Sequence, residues 1–166
     1  MTIDISKNSL LYLCICDVMV ALFIITIPII AHLSPMPLYI FEPMRIAIFA
    51  TLILLPNKKT NAIIMALLLP ILSYTISGHP IAVKNVLIAI ELVANVMLFH
   101  FLLSKFKSAG VSMFFSIITS KILYYGMKYI CLSIGLLSIE FVSTSIKLQL
   151  IVATIISALF SLWYKK

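Results

Sequence analysis

Apolar runs of about twenty residues recur along this chain, separated by short interruptions rich in proline, glycine, lysine or serine. That periodic break-up is the strongest constraint on the fold. Such runs exceed the usual length of strands and suit helices that cross an apolar medium. Six can be marked off by their interruptions, over residues 9–31, 43–55, 60–76, 81–103, 111–136 and 146–164. The first ends where His32-Leu33-Ser34-Pro35-Met36-Pro37 forbids a regular helix. The second is short, opens on Pro43 at a favourable first helical position, and stops at Pro56-Asn57-Lys58-Lys59. Its length suggests a buried or tilted helix, or a start within the preceding loop. The third, with Pro70 inside it, stops at Ser77-Gly78-His79-Pro80.

Composition agrees, because 63% of residues are hydrophobic and 10% charged, which leaves too little polar surface to cover a water-soluble fold. The expected architecture is an all-α membrane protein: a single domain over residues 1–166, formed by a bundle of six transmembrane helices. Orientation follows from the lysines. With a cytoplasmic N-terminus, Lys7, Lys58, Lys59, Lys105, Lys107, Lys165 and Lys166 all lie inside, seven of the twelve basic residues. Both termini are therefore expected to be cytoplasmic in a multi-pass protein of the cell inner (cytoplasmic) membrane. Asp4 ahead of the first run, with no small-residue cleavage site after it, predicts that this helix is retained rather than removed as a signal peptide.

The net charge of +7 does not read as nucleic-acid binding, since the lysines sit at the ends of apolar runs and form no basic stripe with interleaved aromatics. Cys14, Cys16 and Cys131 lie within apolar segments and lack paired metal or disulfide spacing. No metal or other cofactor is expected. An enzyme is not expected either, because none of the intramembrane protease or hydrolase motifs is present.

Function in such a chain falls to the polar groups that a bilayer penalises. Lys84, Glu91 and Asn95 share one helical face by their spacings of seven and four. Lys121, Tyr124, Tyr125 and Lys128 form a second stripe on the next helix. Two such stripes on neighbouring helices can line a shared cavity, or Glu91 can pair with Lys121 or Lys128 and simply tie the helices together. Asp17 reads more readily as a structural residue.

From Pro28 to Phe99 the chain carries Pro28 with His32, then Pro43-Met44-Arg45, Pro70-Ile71-Leu72-Ser73, Gly78-His79-Pro80 and Glu91-Leu92. This order resembles one branch of the substrate-binding S components of energy-coupling factor (ECF) vitamin transporters. There a Pro and His close the first helix, and Pro-Met-His opens the second. Pro-x-x-Ser ends the third, and Gly-Met-Pro and Glu-Leu follow. Each motif is short; together they cover a little under half the chain. The resemblance implies six helices with both termini inside, capture of a vitamin or precursor from outside, and docking on a transmembrane coupling subunit driven by two ATPase subunits. Three departures stand out. The family's Ala-x-x-x-Ala pair is missing, since Ala21 is followed four residues on by Ile25; Arg45 replaces a histidine; and Asn95 stands near where Tyr-Gly often follows Glu-Leu.

The expected site is a pocket near the outer face with Arg45, Lys84, Glu91, Asn95, Lys121 and Tyr124 reaching in. It is gated by the loop 33–42 and the turn 77–80, with His32, Pro43, Met44, Gly78, His79 and Pro80 as gating residues. Inward cations favour a ligand with a carboxylate or phosphate. Alternatively, Glu42 and Glu91 cap Lys84 and Arg45 and leave a pocket of little net charge. Expected partners are the small-molecule ligand, membrane lipid, the coupling subunit and its ATPases, with no nucleic acid. The alternative function is a small structural or scaffolding membrane protein without a ligand.

Overall fold

The computed structural model describes residues 11–23, 25–26, 42–56, 58–77, 82–137, 141–142 and 145–164. Among them the chain is all helical, with no strand. Its six helices are α1 (Leu11–Phe23), α2 (Pro43–Leu54), α3 (Lys59–Ser77), α4 (Ala82–Phe106), α5 (Ala109–Ser133) and α6 (Ile146–Trp163). The expected boundaries of α2, α3 and α6 agree to within a residue. Residues 27–31 of the first expected helix lie outside the described residues, so α1 is described only over its first part.

Among the described residues two helices, α4 and α6, are long and apolar enough to cross a bilayer, where six spanning helices were expected. For α2 and α5 the difference has local causes. Helix α2 has 12 residues, a rise of about 18 Å against a hydrocarbon core of about 30 Å. In α5, four serines, three tyrosines and Lys121 and Lys128 dilute an otherwise apolar 25-residue helix.

Two ends depart from expectation. Helix α4 continues to Phe106 rather than Leu103, and turns directly into α5 through Lys107 and Ser108. Lys107 takes a left-handed conformation, φ 55°, that reverses the chain within two residues. Helix α5 stops at Ser133 rather than Leu136, because Gly135 adopts φ 72°. The Leu136 amide donates to Cys131 O at 2.9 Å and the Gly135 amide to Leu132 O at 3.1 Å. This paired closure satisfies two of the helix's last carbonyls.

The helices pack in chain order from α2 to α6, with α4 against α5 the most extensive interface, and a narrower contact of α6 with α2 closes the ring. Helix α2 also touches α4. On α5 the buried face repeats every fourth residue as Ser112, Ser116, Ser120, Tyr124 and Lys128. Small serines allow the α4 and α5 backbones to come close. Each hydroxyl returns its proton to its own helix, Ser112 to Ser108 O, Ser116 to Met113 O and Ser120 to Ile117 O. Helix α1 is tied to α3 where Asn61 Nδ2 donates to Asp17 Oδ1 at 2.7 Å.

One end of the bundle is filled by aromatic rings. Phe160 of α6 lies 5.4 Å from Phe49 of α2 and 5.1 Å from Phe99 of α4, and Tyr164 stacks on Phe160 at 4.9 Å. The exposed Lys58, Lys59, Lys105 and Lys107 belong to the turns at this same end. The flanks are apolar, with Ile64 and Leu67 of α3, Met97 and Phe101 of α4, and Ile151 and Leu159 of α6 all exposed. An apolar core is thus surrounded by an apolar exterior, and serines, Asn95, Arg45, Glu91 and Lys128 are buried within it.

Candidate functional site

Four charges from three elements meet inside the ring. Arg45, in the first turn of α2, donates through Nη2 to Glu91 Oε1 on α4, and its Nε forms an ion pair with Glu42 Oε2 at 2.7 Å. Lys121, at the midpoint of α5, donates through Nζ to the other oxygen of Glu42 and lies 4.0 Å from Glu91 Oε1. Glu91 is nine residues into α4, about 14 Å from its first residue. Two cations and two carboxylates leave the cluster formally neutral. Neutrality suits a place where Arg45 is 2% exposed, because an unbalanced charge there would carry a large desolvation cost.

Local sequence explains how α2 delivers its charges. Pro43 starts the helix with its ring in place of an amide that would have had no partner. Glu42 precedes it in a left-handed conformation, φ 51° and ψ 59°, and its carbonyl accepts from the Arg45 amide at 2.9 Å and the Ile46 amide at 3.2 Å. Side chains three apart then share one face, so Glu42 and Arg45 present a carboxylate and a guanidinium to α4 and α5 together.

Of the six residues expected to reach into a pocket, Arg45, Glu91 and Lys121 are brought together. Asn95 lies one turn beyond Glu91, fully buried, donating to Ser116 Oγ at 3.1 Å with its Oδ1 unpartnered. Tyr124 is buried beside them, with Lys128 Nζ 6.0 Å from its ring centre. Lys84 is half-buried two turns before Glu91 and has no ion pair among the described residues. Of the two expected caps, therefore, Glu42 and Glu91 both serve Arg45. Pro43 and Met44 form the first turn of α2, with Met44 packed against the core. His32, Gly78, His79 and Pro80 lie outside the described residues, as does the loop 33–42 except for Glu42.

Glu42 itself was expected only as a cap. Its i, i+3 spacing to Arg45 was the available signal; its reach to Lys121, 79 residues away, was not visible in any spacing. A cleft of about 360 Å³ opens between α5 and α6 beside the cluster, lined by Lys121, Ile122, Tyr125, Phe141, Gln149 and Leu150 among others. Within this mostly apolar lining Gln149 Nε2 donates to Tyr125 Oη at 2.6 Å. Lys121 belongs to both the cluster and the cleft. Among the described residues no three His, Cys, Asp or Glu side chains gather as a metal site.

The arrangement can hold an anion beside a cation pair, or hold three helices together. No family model matches the chain, no curated protein matches its sequence, and no solved structure matches it.

Proposed function

We propose that this chain is a membrane-embedded substrate-capture subunit of the ECF type, binding a vitamin or related small molecule from the outside and passing it on by docking to an energising module. The observation that carries the reading is the ionic cluster of Glu42, Arg45, Glu91 and Lys121 at the centre of a bundle whose flanks are hydrocarbon. Ionisable groups so placed serve binding or transport by default. The ordered motifs from Pro28 to Glu91 support the family assignment, and Glu91 of the Glu-Leu motif lies in the cluster, paired with the Arg45 that stands where the family has a histidine. The gathering of exposed lysines at the aromatic end supports a cytoplasmic position for that end, with both termini inside a six-helix, multi-pass protein of the cytoplasmic membrane. Energy would come from a transmembrane coupling subunit and two ATPases, and this chain would perform no chemistry of its own.

The test is a thermal-unfolding screen of the detergent-purified protein against vitamins and their precursors, with a known S component in parallel. A ligand that binds only the folded state raises the unfolding midpoint. One stabilising compound supports capture; silence across a panel that stabilises the control refutes it. The mutual satisfaction of the four charges favours a second reading, a scaffold whose polar groups only join helices. Glu91→Gln and Lys121→Met, compared per folded molecule, separate the two: capture predicts uptake lost beyond any fall in abundance, the scaffold a fall in abundance alone.

A further inference from the structure

The two carboxylates of the cluster are not equivalent. Glu91 sits mid-helix on α4 with its side chain 9% exposed, whereas Glu42 stands just outside α2 with its side chain 21% exposed. Glu42 is also held in a left-handed backbone conformation that a residue with a Cβ adopts only against steric cost. Its partner Lys121 is shared with the α5–α6 cleft. Arg45, almost wholly buried, keeps Nη1 without a hydrogen-bond partner, so the cations offer more donors than the two glutamates use.

Building on the capture reading, we propose that Glu42 is a built-in counter-anion, occupying in the empty protein the seat that a ligand's carboxylate takes when it enters the cleft and displaces Glu42 from both Lys121 and Arg45, so that the Glu42 carboxylate turns out of the cluster. Exchange of one carboxylate for another keeps two negative charges against two positive ones throughout. Entry of an anion without displacement would leave one uncompensated charge in a medium of low polarity, and entry of a cation would leave one of the opposite sign. The exchange therefore selects for monoanions. A volume of about 360 Å³ is at the small end for ligand pockets. Ile118, Ile122, Phe141 and Leu150 wall it with hydrocarbon, and the Tyr125–Gln149 pair gives it one polar edge. The ligand class that fits is a compact organic acid with an apolar or aromatic body and a single carboxylate.

Benzoate and benzamide, matched in shape and different in charge, serve as probes. The full chain in lipid nanodiscs is titrated with each, reading the unfolding midpoint for the wild type, Glu42→Gln and Lys121→Met. Removal of the internal competitor should lower the half-saturating benzoate concentration at least about tenfold in Glu42→Gln relative to wild type, with benzamide inert and Lys121→Met unresponsive. Equal benzoate responses in wild type and Glu42→Gln, no response in Glu42→Gln, or equal effects of acid and amide would each overturn the proposal. Should Glu42→Gln fail to purify, Glu42→Asp keeps the charge and shortens the side chain by one methylene, and the same gain over wild type is required of it. The two readings fail separately. A vitamin that stabilises the wild type while Glu42→Gln ignores benzoate leaves capture standing and removes the exchange; the reverse pattern leaves an exchangeable seat in a protein that is not a vitamin carrier.

Discussion

Replacing Arg45 by methionine should cost far more than replacing Arg45 and Glu91 together. In the single variant Glu42 and Glu91 face Lys121 alone, so the buried cluster carries one net negative charge. The remaining attraction of Lys121 for Glu91 across 4.0 Å is on the order of 4 kcal/mol with an effective dielectric constant of about 20, and it is already engaged in the wild type, so it cannot offset the loss. Breaking a buried pair by removing one partner typically destabilises by about 3–5 kcal/mol. At roughly 2–4 °C per kcal/mol for a chain of this size, Arg45→Met should unfold about 10 °C below wild type. Arg45→Met with Glu91→Met leaves Glu42 and Lys121 as a matched pair and fills the space with apolar volume, and should recover to within about 2 kcal/mol of wild type. The assay is a double-mutant cycle on thermal unfolding in one detergent. Costs that add to within about 0.5 kcal/mol would refute the reasoning, since they would mean that the guanidinium and the carboxylate do not sense each other.

Three further outcomes follow from the packing. A Cβ on Gly110 would lie 2.7 Å from Ser161 Cβ and 3.2 Å from Ser157 O, whereas one on Gly126 meets nothing within 4 Å. Gly110→Ala should therefore destabilise by about 1–3 kcal/mol while Gly126→Ala is neutral or stabilising by up to about 1 kcal/mol, both read from unfolding midpoints; equal effects would contradict the close α5–α6 approach. Asn95→Leu removes one hydrogen bond to Ser116 together with an acceptor that has no donor, so it should cost less than about 1.5 kcal/mol, whereas Asn95→Asp, which buries a charge without a partner, should sharply reduce folded yield. Trp163 is 68% exposed at the basic end, so bilayers with bromine near the headgroups should quench its fluorescence more than bilayers brominated at the acyl-chain ends; the opposite order would contradict an interfacial anchor.

The helices were legible because their ends are chemical events. Pro43 opens α2, Pro56 and the lysine pair close it, and the 3.6-residue period put Glu91 with Asn95 and Lys121 with Tyr124 on common faces. Periodicity says which residues share a face and is silent on which faces meet. Lys121 and Lys128 were therefore indistinguishable as partners of Glu91, although the first joins the carboxylates and the second is buried near the Tyr124 ring. Serine hid the α4–α5 seam, since Ser112, Ser116 and Ser120 within an apolar run neither break a helix nor mark a polar face, and their small-xxx-small spacing was the missed signal. The end of α5 was overshot because Ile134, Leu136 and Leu137 extend the apolar pattern past a closure that rests on the backbone angle of Gly135.

The rings of Phe49, Phe99, Phe160 and Tyr164 meet tilted, edge to face or stacked, with the centres of contacting pairs no more than 5.5 Å apart, joining α2, α4 and α6 at the basic end. Side chains in such contact resist rearrangement. The basic end of α2, α4 and α6 is therefore coupled as one block, and displacing any of the three helices there drags the other two with it.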